Sequence, residues 1–273
     1  AVYMRQVKEP DVSPAFSWKN YLEKFEKTKN KFAEENFRQM YSTYSHTMTA
    51  AVMLAVEKYA DRNIIFNYVF HLFSLISFEP MPLCLIVQYV QQQDEKLDAE
   101  DVRLKVKKCS LLLPVENADP TIRLHRVVHE AIKNIFGSIT RREVVIQSVV
   151  KSLYQFKDRS DKLRLIPHLM AFSEESKCLS QHNGTLHSIS LGFPKHEISE
   201  IYLFFAKTLH HYCSFKIANE FHDKNLQIWN GSEENLRLSY IYQEIGCLNR
   251  TLGKLEKAER YHQRALKIQK EQL

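Results

Sequence analysis

In the stretch LLLPVENADPTIRLHRVVHEAIKNIF, residues 111–136, the residue pattern changes from strand-like to helical. Two short apolar segments flank the turn-forming residues 117–120, which is typical of a β-hairpin. Over residues 126–136 the apolar positions recur at helical spacing, and Gly137 can end a helix there. The stretch therefore predicts a hairpin followed directly by a helix.

Upstream of this stretch, apolar residues recur three and four positions apart, the period of a helix. The predicted helices cover residues 16–27, 45–60, 63–77, 82–93 and 97–113. The segment FEPMPL (78–83) holds two prolines and is expected to break the chain. Several helices, a hairpin and one more helix predict a winged-helix-like domain over 45–137, after a helical lead-in over 1–44.

Downstream of residue 137 the pattern is helical throughout, so the fold class we expect is mainly α. The predicted helices cover residues 140–157, 162–179, 196–213, 216–229, 235–250 and 254–270. The stretch 180–197 is the least regular and contains two glycines and a proline, which predicts a loop between helical units. We therefore assign residues 138–199 to a helical connector.

An internal repeat marks the end of the chain. ANEFHDKNLQIW (218–229) aligns with AERYHQRALKIQ (258–269) at an offset of forty residues, and Ala206 aligns with Gly246 at the same offset. Such self-similarity is typical of an α-helical solenoid. The second copy, with small residues at positions 246, 253, 258 and 265, resembles a tetratricopeptide repeat (TPR). We therefore predict TPR-like repeats over 200–273.

The bulk composition is that of a soluble globular protein, with 44% hydrophobic and 26% charged residues and a net charge of +6. No apolar run reaches the ~18 residues that a membrane helix needs. The odd number of cysteines, five without a CxxC pair, favours buried free thiols in a reducing compartment, hence a cytoplasmic location. A start at Ala1 without a signal-peptide pattern favours a fragment of a longer chain.

Enzyme signatures are absent from the sequence: it contains no GxxxxGK[ST], GxGxxG, GxSxG or HExxH motif. We therefore predict no catalytic residue in this chain. His125 and His129 lie four apart beside Arg126, which leaves a zinc pair, a capped or packed helix start, and a phosphate contact as interpretations. His222 and His262 occupy equivalent repeat positions, so we expect them to pack and to bind no metal.

The order of these parts resembles the region that follows the nucleotide-binding module in STAND signalling ATPases of the NB-ARC type. In that family a winged-helix subdomain ends in a strand-to-helix motif whose histidine faces the nucleotide, and Leu124-His125-Arg126 looks like that motif. The resemblance implies that His125 contacts an ADP phosphate, with ADP or ATP held by a module upstream in the same protein. Arg126 departs from the aspartate common in the plant receptors of the family.

The resemblance also implies a function for the remaining parts. The winged helix would gate the nucleotide state, and the TPR-like hairpins would bind protein partners, with oligomerisation on activation. Innate immune or cell-death signalling is the usual setting of this family. Residues 9–27 look like the end of the small helical subdomain that precedes the winged helix.

Two other functions remain open on the sequence. A winged-helix nucleic-acid binder with a TPR dimerisation arm would use the cations of helix 99–113, namely Arg103, Lys105, Lys107 and Lys108. The hairpin turn PVENADPT carries two acids and no base, which argues against a phosphate contact there. A plain TPR scaffold without a nucleotide role is the third possibility. The basic stretch 141–164 is interpreted as a solvated helix face.

Overall fold

The chain divides into two compact units, with the boundary between residues 140 and 141. The structure, a computed structural model, describes residues 43–116, 119–137, 142–183, 193–229 and 236–272. It is mainly helical, as the sequence predicts, and contains one small sheet of three strands, one more than the predicted hairpin. The predicted helix over 16–27 and the lead-in to residue 42 lie outside the described residues.

The first unit contains five described helices and the sheet. Its elements are α1 (Thr43–Arg62), α2 (Ile64–Leu75), β1 (Met81–Pro82), α3 (Leu83–Gln93), α4 (Ala99–Lys108), β2 (Leu112–Val115), β3 (Thr121–Leu124) and α5 (Arg126–Phe136). Helix α2 is apolar almost all round and is the centre of the core, with Val69, Phe70 and Phe73 fully buried. Asn63 caps α2, because its side chain accepts the backbone N–H of Ile65 at 3.0 Å.

The sheet has the strand order β1-β3-β2, and both pairs are antiparallel. The predicted hairpin is confirmed as the pair β2–β3, in which Leu112 lies opposite Leu124. Strand β1 was not expected, because the prolines at 80 and 82 predict only a chain break. A proline is tolerated at this edge strand, and the pairing is extended by Leu83, whose N–H donates to the carbonyl of Pro120 at 2.8 Å.

The prediction of one helix over 97–113 is wrong for its last five residues, 109–113. Helix α4 begins after Asp98, which accepts the N–H of Glu100, and ends at Lys108. Cys109 closes the last turn with bonds to the carbonyls of Lys105 and Val106. Residues 112–115 then pair with β3, so pairing across the sheet overrides a local pattern that continues the helical spacing.

The second unit consists of helices that contact one another in sequence order. Its elements are α6 (Arg142–Tyr154), two 3₁₀ turns (Gln155–Asp158 and Lys162–Arg164), α7 (Leu165–Asn183), α8 (Lys195–His211), α9 (Phe215–Ile228), α10 (Leu236–Thr251) and α11 (Leu255–Glu271). Helices α8 and α9 form one antiparallel hairpin, and α10 and α11 form the next. Helices α6 and α7 pack against α8 and α9, so part of the predicted connector belongs to this unit.

The forty-residue repeat is present in the backbone of the two hairpin turns. Cys213 and Gly253, forty apart, have φ angles of 62° and 72°, the left-handed region. The next N–H in each turn donates to the carbonyl five residues earlier, from Ser214 to Leu209 at 2.8 Å and from Lys254 to Asn249 at 2.9 Å. Both helices therefore end in the same left-handed cap.

The cysteines depart in part from the sequence expectation. Cys109 is buried as expected, whereas Cys84 and Cys247 are only half-buried. Cys213 is exposed at its turn, so the expectation of burial is wrong there, because a hairpin turn with one capping residue leaves its side chain in solvent. The side chain of Cys178 lies outside the described residues.

No helix in the described ranges is long and apolar enough to cross a membrane. The longest, α1, carries charged residues at 57, 58, 61 and 62. The most apolar, α2, has twelve residues, which is shorter than the ~20 needed to span a bilayer.

Candidate functional site

His125 lies at the junction between β3 and α5, where the sequence places the candidate phosphate contact. It is the N-cap of α5, with φ −70° and ψ 141°, and its side chain is exposed. Its Nδ1 accepts the backbone N–H of Val127 at 3.3 Å, while its carbonyl accepts the N–H groups of Val128 and His129. The imidazole is therefore held at the positive end of the α5 dipole.

The cap bond fixes which nitrogen of His125 can donate. Because Nδ1 acts as an acceptor toward Val127, the proton of the neutral ring is on Nε2. The first turn of α5 holds no acidic residue, and Arg126 and Arg123 are exposed beside His125. An anion at this helix start would therefore meet a ring N–H, two guanidinium groups nearby in sequence and the helix dipole.

His129, one turn further along α5, has a structural role. It is 4% exposed, and its Nε2 donates to the carbonyls of Phe73 at 3.0 Å and Ile76 at 2.8 Å, at the end of α2. Its ring also contacts the ring of Phe78 edge to face, with centroids 5.6 Å apart. Burial lowers the pKa of His129, so the ring is neutral and ties α5 to α2.

One ring nitrogen of His125 and one of His129 are already engaged in hydrogen bonds and are not available to a metal ion. The Nε2 of His129 already bonds two backbone carbonyls, and the Nδ1 of His125 faces a backbone N–H. Within the described part of the chain, no group of three or more His, Cys, Asp or Glu side chains could hold a metal ion.

His222 and His262 occupy equivalent places in their hairpins, but their surroundings differ. His222 is 1% exposed on α9, and burial lowers its pKa to about 4. His262 is half-buried on α11 and lies over Gly246, where a Cβ atom would come within 2.6 Å of the imidazole. The small residue at 246 thus lets α10 and α11 approach closely around the His262 ring.

The cations of α4 are largely paired with carboxylates. Lys105 bonds Asp101 at 2.7 Å, Lys107 bonds Glu116 at 3.0 Å, and Arg103 bonds Glu100. These pairs neutralise three of the four basic side chains that a nucleic-acid interpretation would assign to the recognition helix. Leu104, at the centre of that face, is 52% exposed. A surface of this kind offers little to a phosphate backbone.

Two lysine clusters in the second unit were not identified from the sequence. In the first, Lys157 donates to the hydroxyl of Tyr154 at 2.8 Å and to Glu200 at 3.0 Å, and the Tyr154 hydroxyl donates to Glu200 at 2.7 Å. The spacing of Tyr154 and Lys157, three apart, is visible in the sequence. The partner Glu200 is not, because it lies more than forty residues further along.

The second lysine cluster joins α8 to α10. Lys207 donates to the hydroxyl of Tyr240 at 3.1 Å and forms an ion pair with Glu244 at 3.1 Å. Its Nζ lies 5.2 Å from the centroid of the Tyr240 ring, as that of Lys157 lies 5.1 Å from the Tyr154 ring. Each cluster thus combines a cation, a tyrosine and a glutamate between neighbouring helices.

Comparisons of the chain with protein-family models, with curated proteins and with solved structures give no match.

Proposed function

We propose that the chain is a regulatory and sensor segment of a STAND signalling ATPase of the NB-ARC type. In this proposal the first unit is a winged helix that gates the nucleotide state. The second unit is a TPR-like solenoid that binds protein partners, with oligomerisation on activation. The segment itself performs no catalysis, and the setting is cytoplasmic innate immune or cell-death signalling.

The observation that carries this proposal is the exposed Nε2–H of His125 at the start of α5. The residue follows β3, the central strand of the sheet, and its orientation is fixed by the bond from Val127. A ring N–H held at a helix N-terminus is a suitable donor to a phosphate oxygen, which the helix dipole attracts in addition.

The topology of the first unit supports a winged helix. Its elements from α2 to β3 follow the order helix, strand, helix, helix, strand, strand, and the first strand pairs with the last. The hairpin β2–β3 then occupies the place of the wing, and α5 follows it directly. His129 supports the gating role, since it fixes the position of α5, and with it His125, relative to α2.

The repeated hairpins support the TPR-like interpretation of the second unit. The turns at 213 and 253 share one cap geometry, and the close approach over Gly246 is of the kind that small residues allow in paired helices. Stacked hairpins expose long continuous helix faces, which solenoid proteins use to bind partners.

The decisive experiment measures ADP in the longer protein that includes the upstream region. Wild type, His125→Ala and His125→Ser are purified and denatured, and the released nucleotide is quantified. Serine is a good N-cap and restores the bond to the Val127 N–H, but its short side chain does not extend to a ligand as imidazole does. The two substitutions therefore separate the cap from the phosphate contact.

We expect wild type to carry ADP and both variants to lose it, or to become constitutively active. Loss in His125→Ala alone would show that His125 acts only as a cap. Absence of nucleotide from wild-type protein would refute the switch and leave the second candidate, a plain scaffold. That candidate is favoured by the cap bond itself, which gives His125 a sufficient structural role.

A further inference from the structure

The internal repeat makes the hairpin α10–α11 a copy of α8–α9, and the two copies differ in what covers them. Helix α10 contacts both helices of the first hairpin, so it lies in the groove between α8 and α9. It runs along α8, since Arg237 donates to the carbonyl of His196 at 3.4 Å and Thr251 bonds His210 at 3.0 Å. No described helix follows α11 to fill the same groove of the second hairpin.

The side of α9 that faces α10 follows from its other contacts. One side faces α8, where Asn225 donates to the carbonyl of Ser199 at 2.9 Å. A second side faces α7, where Glu220 and Lys224 bond serine hydroxyls. The contacts with α10 therefore fall to the remaining side. Its residues are spaced four, three and four apart, as one helix face requires: Phe215, Asn219, His222 and Leu226.

The equivalent face of α11, forty residues further along, is open. Phe215 and Leu226 are half-buried, whereas their equivalents Leu255 and Leu266 are 67% and 50% exposed. His262, between the two leucines, is half-buried, whereas its equivalent on α9 is 1% exposed. The outer face of a terminal repeat is usually polar, so two exposed leucines here indicate a surface for a further helix.

The α10 side of this groove differs from that of α8 in its charged residues. Lys207, which pairs with α10, corresponds to Cys247, which is half-buried and uncharged. His210, which bonds α10, corresponds to the exposed Arg250. We call this open groove the end groove. It is lined by Cys247 and Arg250 from α10 and by Leu255, His262 and Leu266 from α11.

Both ends of the end groove carry a cation. His262 lies over Gly246, so the antiparallel pairing places Arg250 at one end and Lys270 at the other, twelve helical residues or about 18 Å apart. Within the described ranges neither cation forms an ion pair, in contrast to the paired cations of α4 and of the lysine clusters. Glu259, on the same face of α11, already accepts a hydrogen bond from a neighbouring glutamine at 3.0 Å.

We infer that the end groove binds an amphipathic helix of a partner protein, with an acidic residue at each end of its apolar face. Helix α10 shows the mode, since its buried apolar residues are spaced three, four and three apart: Leu238, Ile241, Ile245 and Leu248. The partner helix keeps that spacing. It has an apolar residue opposite Cys247 and carboxylates opposite Arg250 and Lys270. The inference rests on the proposed protein-binding role of the second unit.

A second copy of this chain fits the end groove less well than an acidic helix does. Helix α11 carries five basic residues against three glutamates, so two copies facing each other through α11 would bring like charges together. An acidic helix would instead neutralise the two cations at the ends of the groove.

The probe is a fluorescein-labelled peptide with the sequence of residues 236–252 and five substitutions, measured by fluorescence anisotropy. Arg237→Glu and Thr251→Glu place an acid at each end, and Glu244→Leu matches the loss of Lys207. Gly246→Ala and Cys247→Ala favour the helix and remove the thiol. The control peptide carries lysine in place of the two acids.

Two variants of the 273-residue chain test the two parts of the end groove. Leu255→Gln/Leu266→Gln removes the exposed leucines, and Leu104→Gln/Leu163→Gln replaces two equally exposed leucines elsewhere as the matched control. Arg250→Glu reverses the charge at one end. Its control is Arg260→Glu, the same change at an exposed position of α11 outside the groove.

We expect the acidic peptide to bind more tightly than the lysine peptide. The leucine variant and Arg250→Glu should each weaken the acidic peptide about tenfold or more, and Arg250→Glu should strengthen the lysine peptide. Both control variants should bind the acidic peptide within twofold of wild type. Circular dichroism confirms that each variant keeps its helical content.

The inference is overturned if either groove variant binds the acidic peptide within twofold of wild type, if wild type binds both peptides equally, or if 1 mM peptide does not bind. It is also overturned if the full-length protein does not bind the peptide, because a segment of its own chain then fills the groove. Sedimentation velocity tests the second copy. A dimer of wild type that the leucine variant dissociates would overturn the inference too.

Failure of this inference is distinguishable from failure of the proposed function. The peptide is measured without nucleotide, whereas the His125 test measures ADP in the longer protein. A chain that binds no peptide, with ADP still lost on His125→Ser, overturns only the inference. Peptide binding by a protein that holds no ADP refutes the switch and leaves the end groove as the binding site of a scaffold.

Discussion

Gly246 illustrates how one missing side chain sets the spacing of a hairpin. A Cβ at this position would come within 2.6–2.8 Å of three ring atoms of His262, so the ring must move if a larger residue is introduced. Gly246→Ala should therefore lower the free energy of unfolding by about 1 kcal/mol, since overpacking outweighs the better helix propensity of alanine. Urea denaturation measures the change.

The same substitution gives an internal control when the ring is removed. In a His262→Ala background the alanine at 246 has no ring to displace, and its helix propensity should raise the free energy of unfolding by up to about 1 kcal/mol. The effect of Gly246→Ala on the free energy of unfolding should therefore be negative in the wild-type background and positive in the His262→Ala background. An identical effect in both would mean that the contact over Gly246 contributes nothing to stability.

Cys213 and Gly253 provide a matched pair for the cost of a left-handed residue. Both have positive φ at the same turn position, but only one of them is glycine. Cys213→Gly should raise the free energy of unfolding by about 1 kcal/mol, because a side chain is strained there. Gly253→Ala should lower it by about as much, although a Cβ there meets no atom within 4 Å.

Thermal unfolding distinguishes the backbone effect at Cys213 from an effect of the thiol. Cys213→Ala removes the sulfur and keeps the strain, so its stability should match that of wild type. If Cys213→Ala stabilises the chain as much as Cys213→Gly does, the strain explanation is refuted.

At the level of elements, the sequence predicts helices best where burial and spacing agree. The apolar run 63–77 contains α2, and Gly137 directly follows the end of α5, as predicted. Strand β1 could not be predicted, because two residues that include Pro82 have no periodicity of their own and are defined only by their pairing with β3. The end of α4 before β2 could not be predicted for the same reason, because β2 is defined by its pairing with β3.

The position of α5 depends on one buried hydrogen-bonded histidine. His129→Leu would leave the carbonyls of Phe73 and Ile76 without their ring donor. It should therefore lower the free energy of unfolding by about 2 kcal/mol. Urea denaturation measures it, with the exposed neighbour Glu130→Gln as the control. A loss below about 0.5 kcal/mol would mean that water or another group replaces the donor.

At the level of the whole molecule, the candidate site and the two lysine clusters differ in how far they could be predicted. His125 could be located in advance, because a turn, a short strand and a helix start follow one another in the sequence. The lysine clusters could not, since Tyr154 contacts Glu200 and Lys207 contacts Tyr240 only after separate helices pack together. Pairing over such distances leaves no local pattern.

Each unit holds a buried neutral histidine, and this makes the stability of the whole chain depend on pH. Burial lowers the pKa of His129, and lowers that of His222 to about 4, whereas an unfolded histidine titrates near ~6.5. Below that pH the unfolded chain binds protons that the folded chain does not. The stability from these groups is therefore complete above pH ~6.5 and is lost as the pH falls towards 4.

Replacing His222 tests this dependence. Its Nδ1 has no hydrogen-bond partner in the described structure, so a nonpolar side chain loses no hydrogen bond of that atom. Between pH 7 and pH 4.5, His222→Leu should lose about 2 kcal/mol less of its free energy of unfolding than wild type, since it cannot take up the proton when it unfolds. Urea denaturation at both pH values measures the difference, and the exposed His211→Gln serves as the control. If His222→Leu and wild type lose equal stability, the folded chain must also protonate His222. Solvent would then reach this buried ring below pH ~6.5.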